Sequence, residues 1–130
     1  MDYIDFVIEY GKKFEKKREE CEKIDAFIRR AEDFPSLVVQ EGLVPAMTFY
    51  YSKAEKEVNI ENADCEELAN EGKGYSVYLS LLIDVLRSFA NLKCTSPLDC
   101  IREVRQNEII ITRKILPILV EVKKVSNIVG

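Results

Sequence analysis

The sequence predicts an all-α fold: a compact bundle of about five to seven helices, with a long N-terminal helix packed on the C-terminal one. Three observations carry this. Apolar residues recur at alternating intervals of three and four near both ends of the chain, the spacing of a buried helical stripe. Residues that start and stop helices stand between the periodic stretches. The 130 residues include only five Gly and four Pro, too few for a loop-rich or low-complexity chain. This length suits one domain, residues 1–130, with a core of its own.

The first element follows from Tyr3, Val7, Tyr10, Phe14, Lys17, Cys21, Ile24, Ile28 and Ala31. Their spacing alternates four and three, and only Lys17 departs from apolar character. One helix over residues 2–33 is expected, roughly 48 Å long at 1.5 Å per residue. Gly11 is its weak point. Phe34-Pro35 should end it, because the residue before proline resists the helical region. Ser36 is then the N-cap of a short helix through Glu41, and Gly42 fits the left-handed stop. Residues 43–56 restart the helix with Leu43, Met47, Tyr50 and Ala54 on one face. Pro45 falls in the first turn, where a missing N–H costs little. Residues 58–62 read as irregular. A short helix over 64–70 is stopped by Gly72-Lys73-Gly74, a flexible loop too short to divide the chain.

Residues 75–92 form the most hydrophobic helix. Tyr78, Leu79, Leu82, Ile83, Val85, Leu86 and Phe89 cover more than half its circumference, which makes it central. Ser96-Pro97 is an N-cap with proline at the first helical position, opening a helix to about Val104. Asn107 and Glu108 open the last helix, which runs to about Ile128. Ile111, Ile115, Ile118, Val122, Val125 and Val129 again alternate four and three. Residues 108–112 and 119–122 are rich in β-branched side chains and would suit strands. The helical spacing runs through both without a turn signal, so the helix prevails, kinked at Pro117. No internal repeat is visible.

Composition removes several functions. The chain is 47% apolar and 32% charged, with no histidine. Ser-His-Asp and Cys-His catalysis are excluded, as are Glu-x-x-His di-iron bundles. The carboxylate pairs Glu19-Glu20 and Glu66-Glu67 stand among Lys and Arg, as ordinary surface does. Gly72-Lys73-Gly74 lacks the spacing of a phosphate loop. No catalytic residue, cofactor or metal is expected. Cys21, Cys65, Cys94 and Cys100 form no Cys-x-x-Cys pair, so buried free thiols are the expected state. A Cys94–Cys100 bridge is the alternative, these being the nearest pair. Two Gln beside many Lys and Glu suggest a thermophile, where intracellular disulfides do occur. The acidic N-terminus lacks the pattern of a signal peptide. The longest apolar run, 115–120, is far short of the ~20 residues that span a bilayer. A cytoplasmic protein without membrane contact is expected.

The net charge of −4 means that nucleic-acid contact would need a local basic patch. Tyr3, Tyr10, Tyr50 and Tyr78 could stack bases, but they lie on core stripes and should be buried. Lys12, Lys16, Lys23 and Arg30 fall within about 40° of one another on the first helix, opposite its seam. Arg113 and Lys124 lie within about 20° and roughly 16 Å along the last helix. Such stripes could follow a phosphate backbone. Spacing alone favours a solvated face, with Glu19 paired to Lys23.

One segment shifts that balance. Residues 36–53 read Ser-Leu-Val-Val-Gln-Glu-Gly-Leu-Val-Pro-Ala-Met-Thr-Phe-Tyr-Tyr-Ser-Lys. An apolar turn, a polar residue with Gly-Leu and an apolar helix with Phe-x-x-Ser-Lys follow one another. This resembles the small helical subunit of the type III-B CRISPR effector, the Cmr complex. The layout is similar as well: an aromatic-rich apolar helix follows, then a last helix with Thr112-Arg113 and the basic pair Lys123-Lys124. The resemblance implies a non-catalytic subunit that stacks with copies of itself beside the backbone subunits. It would help to enclose guide and target RNA, while base pairing reads sequence and protein contacts phosphate. Lys53, Arg113, Lys123 and Lys124 then lead as phosphate contacts, ahead of Lys12, Lys16, Lys23 and Arg30. For Lys53, snorkelling over its helix face or pairing with Glu57 is the structural alternative. A helical assembly module unrelated to RNA is the competing function.

Overall fold

The computed structural model describes residues 2–54 and 58–130. These residues form seven helices and no strand: α1 (Tyr3–Glu20), α2 (Asp25–Glu41), α3 (Leu43–Lys53), α4 (Cys65–Ala69), α5 (Glu71–Phe89), α6 (Pro97–Gln106) and α7 (Glu108–Val129). The all-α bundle is as expected, and α1 packs along α7. Gly11 sits at that contact. A Cβ there would lie 2.8 Å from Val125 Cγ1, so the glycine permits close approach, and α1 runs through it unbroken, without a fresh start.

The single helix expected over 2–33 is two helices. Cys21 leaves the helical region at φ −118°, ψ 135°, and α2 starts at Asp25. The turn lets Phe14 meet Phe27 at 5.3 Å between ring centroids. In a straight helix thirteen residues would hold them about 20 Å apart along the axis. Cys21 and Ile24 stay buried through the turn, which is why the apolar spacing shows no break. Lys17, the polar member of the seam, donates from Nζ to the Ala63 carbonyl at 2.7 Å.

α2 also continues where proline was expected to stop it. Phe34 and Pro35 are buried inside the helix. The Phe34 ring packs 4.7 Å from Tyr50 and 5.2 Å from Tyr78. Burying that ring offsets the hydrogen bond that proline removes. Ser36 is an exposed mid-helix residue and caps nothing. The helix stops at Gly42, whose φ of +101° disfavours any residue with a side chain. α3 follows with Leu43, Ala46, Met47 and Tyr50 buried. It ends at Lys53, short of the expected Lys56, because Ala54 is extended at φ −82°, ψ 145°; residues 55 and 56 lie outside the described residues.

Asp64 and Glu67 form a reciprocal capping box on α4. Gly72-Lys73-Gly74, expected as a flexible loop, is the first part of α5. Asn70 caps that helix by accepting from the Lys73 N–H at 3.1 Å. A Cβ on Gly74 would lie 3.0 Å from the Ala26 carbonyl carbon, so this glycine lets α5 cross α2 closely. α5 is central as expected, buried from Gly74 to Ile83 and again at Val85 and Leu86. Ser96 caps α6, and α7 runs through Pro117. Tyr10, Tyr50 and Tyr78 are buried as expected, whereas Tyr3 stays exposed.

The cysteines are not free thiols. Cys21 is bonded to Cys65, and Cys94 to Cys100. The first pair is 44 residues apart in sequence. No spacing rule points to it; the α1–α2 turn and the start of α4 bring it together.

Candidate nucleic-acid interface

α7 buries Ile111, Ile115, Ile118, Leu119 and Val122. At 100° per residue its opposite side carries Arg113, Leu116, Val120, Lys123 and Lys124 within about 100° of arc. Arg113 and Lys124 are exposed and Lys123 is half-buried. Lys124 Nζ pairs with Glu121 at 3.2 Å. Leu116 and Val120 form a ridge between two shallow clefts. One, of about 460 Å³, is bordered by Tyr3, Arg113 and Pro117. The other, of about 320 Å³, is bordered by Pro35, Val39 and Lys123. Cations thus flank an apolar ridge, a surface suited to an anionic polymer or to a subunit with acidic flanks.

Lys53 is exposed at the end of α3. Its ammonium lies 5.6 Å from the centroid of the Phe49 ring, within cation–π range. Phe49 is itself exposed, so an aromatic face and a cation stand together at the surface. The alternative pairing of Lys53 with Glu57 lies outside the described residues.

The N-terminal stripe does not survive as a unit, because it presumed one continuous helix. Lys12 and Lys16 are exposed on α1, Lys23 stands in the turn, and Arg30 belongs to α2. With Lys23 beyond the end of α1, its expected helical pairing with Glu19 has no basis in spacing. Arg30 is engaged internally. Its guanidinium lies 4.4 Å over the Tyr75 ring and donates to the Tyr75 hydroxyl. It also pairs with Asp33 at 3.6 Å and Glu71 at 3.9 Å. Its carbonyl accepts from the Tyr50 hydroxyl at 2.8 Å.

A third cleft, of about 250 Å³, opens between α1, α5 and residues 59–61, with Glu9, Lys13, Glu61 and Asp84 among its walls. Burial pushes the Asp84 carboxyl above its usual value, against the lowering effect of Arg87. Among the described residues, no three potential metal ligands are grouped as a site. No helix there is long and apolar enough to cross a membrane.

The model of one family, described as CRISPR-associated protein (Cas_Cmr5), matches residues 4–129, which span every helix from α1 to α7. The chain belongs to the Cas_Cmr5 family. It is therefore a small subunit of the type III-B CRISPR kind, in line with the resemblance carried by residues 36–53. Membership in Cas_Cmr5 places it among accessory subunits that work with others in a CRISPR effector complex. No curated protein and no solved structure matches the chain.

Proposed function

We propose that the chain is a non-catalytic subunit of a cytoplasmic type III-B effector in antiviral defence. It stacks with copies of itself beside the backbone subunits and helps to enclose guide and target RNA through phosphate contacts. The observation that supports this reading best is the outer face of α7, where Arg113, Lys123 and Lys124 stand clear of the apolar seam. Lys53 beside the exposed Phe49 adds a cation next to a surface on which a base could stack. A net acidic chain suits this role if neighbouring subunits supply most of the affinity and its own RNA contacts are few. The two disulfides accord with an intracellular protein of a thermophile.

The test is a quadruple variant, Lys53→Ala, Arg113→Ala, Lys123→Ala and Lys124→Ala, reconstituted with its partner subunits. Assembly is expected to be normal. Target-RNA capture is expected to weaken about tenfold or more, equally for all RNA sequences, with a salt slope shallower by about 0.7 per lost contact. Unchanged affinity and slope would remove RNA contact from the proposal.

A second reading has its own support. Leu98, Ile109 and Ile128 are 79%, 70% and 82% exposed, and large apolar side chains so placed suit subunit contacts. Variants at these positions that block assembly, together with an RNA-neutral quadruple variant, would favour an assembly module without RNA contact.

A further inference from the structure

The segment that precedes α4 is strapped to α1 at points one helical turn apart. Lys13 pairs with Glu61, Lys17 donates to the Ala63 carbonyl, and Cys21 is bonded to Cys65. Positions 13, 17 and 21 share one side of the helix, and they hold residues 61 and 63 of the strap and Cys65 at its end. From the other side α5 holds its beginning. The Val58 N–H donates to the Ser76 carbonyl at 3.3 Å, and the Ser80 hydroxyl bonds to Asn59. The strap supplies Asn59, Ile60 and Glu61 to the wall of the third cleft, opposite Phe6, Tyr10 and Asp84.

The two disulfides differ in access. Cys65 is exposed, while Cys21 is 4%, Cys94 4% and Cys100 1% exposed. Exchange requires a thiolate to reach one sulfur of the bond. The Cys21–Cys65 bond offers one approachable half-cystine; the Cys94–Cys100 bond offers none.

We infer that Cys65 is a thiol-exchange site, at which a small thiol of the glutathione type opens the Cys21–Cys65 bond and releases the end of the strap. The thiolate attacks Cys65 Sγ, a mixed disulfide forms, and Cys21 Sγ leaves as a thiolate that takes a proton from water. A second thiol attacks the mixed disulfide. The products are the oxidised disulfide of the reductant and a free Cys65 thiol. Two electrons pass from the two reductant thiols to the protein. Leu68, fully buried on α4, keeps that helix docked, so the loosening is confined to the strap. The device needs no assumption about RNA.

The experiment is a glutathione titration of the intact protein, followed by alkylation and peptide mass mapping. Cys21 and Cys65 are expected to become labelled at a reductant concentration at least tenfold below that for Cys94 and Cys100. Brief exposure is expected to trap the glutathione adduct on Cys65. Amide hydrogen exchange should rise in residues 58–64 with little change in α5. A Cys21→Ser, Cys65→Ser double variant is expected to reproduce that rise without reductant, at unchanged helix content. If this variant does not fold, the titration of the natural chain still decides. An adduct on Cys21, simultaneous opening of both bonds, or unchanged exchange in the strap would overturn the inference.

Discussion

Arg30 on α2 and Arg113 on α7 are the same side chain in opposite circumstances. The Arg30 side chain is 11% exposed. It lies over Tyr75 and close to Asp33 and Glu71. Arg113 is exposed beside Tyr3 and Pro117 at the edge of an open cleft. Arg113 lies opposite the apolar stripe of α7, whereas Arg30 lies at the edge of the buried face of α2, between Ala26 and Phe34. The start of α5 adds to this difference, bringing Glu71 and Tyr75 onto Arg30 from 41 and 45 positions further along the chain. A cation's role therefore depends on the neighbours of its helix as well as on its phase. Interior cations serve the fold; those left outside are the ones that the proposed RNA contact would use.

The largest expected effect lies on the interior side and needs no mutation. Burial raises the phenols of Tyr10, Tyr50 and Tyr78 above their usual value, though Ser126 opposes this at Tyr10 and Arg30 at Tyr50. The folded chain keeps protons that the unfolded chain releases above about pH 10. Stability is thus intact below pH ~10 and falls as pH rises beyond it. Three phenols contribute about 1.4 kcal/mol each per pH unit, or about 4 kcal/mol in all. Urea midpoints measured from pH 8 to 11.5 should be level at first and then drop steeply. A level profile to the end would mean that the phenols are not held in the core.

The arginines themselves come next. Arg30→Ala is expected to cost about 2–3 kcal/mol, since it strips partners from Tyr75, Asp33 and Glu71. Arg113→Ala is expected to stay within about 0.5 kcal/mol. Equal losses in thermal unfolding would erase the distinction between the two sites. A smaller effect tests how α7 is held. Gly11→Ala drives a methyl group toward Val125 and is expected to cost about 1–2 kcal/mol, with RNA capture by the assembled complex preserved. A neutral result would show that α1 and α7 have room to part.

Much of this architecture was legible because its signals are local. Gly42 marks the boundary between α2 and α3, Ser96-Pro97 starts α6, and the three-four spacing of Ile111 to Val129 outlines α7. The turn at 21–24 was hidden because Cys21 and Ile24 stay buried on both sides of it, so the periodicity never falters. Pro35 and Gly74 misled for a related reason. Each carries a local breaker signal that tertiary packing overrides, at the Phe34 aromatic cluster and at the Ala26 crossing. At the candidate site, the outward placement of Arg113 and Lys124 was legible on α7, where helical phase alone decides it. The inward engagement of Arg30 and Lys17 was not legible, because their partners come from distant segments.

Lysine acetylation of the assembled effector, with and without target RNA, tests the division between interior and outer cations most directly. Peptide mapping reports each ammonium in one experiment. Lys53, Lys123 and Lys124 are expected to react freely without target RNA and to be protected several-fold when it is bound. Lys17, whose side chain is 14% exposed and donates to Ala63, is expected to resist in both states. Equal labelling of Lys53, Lys123 and Lys124 in the two states would contradict the account.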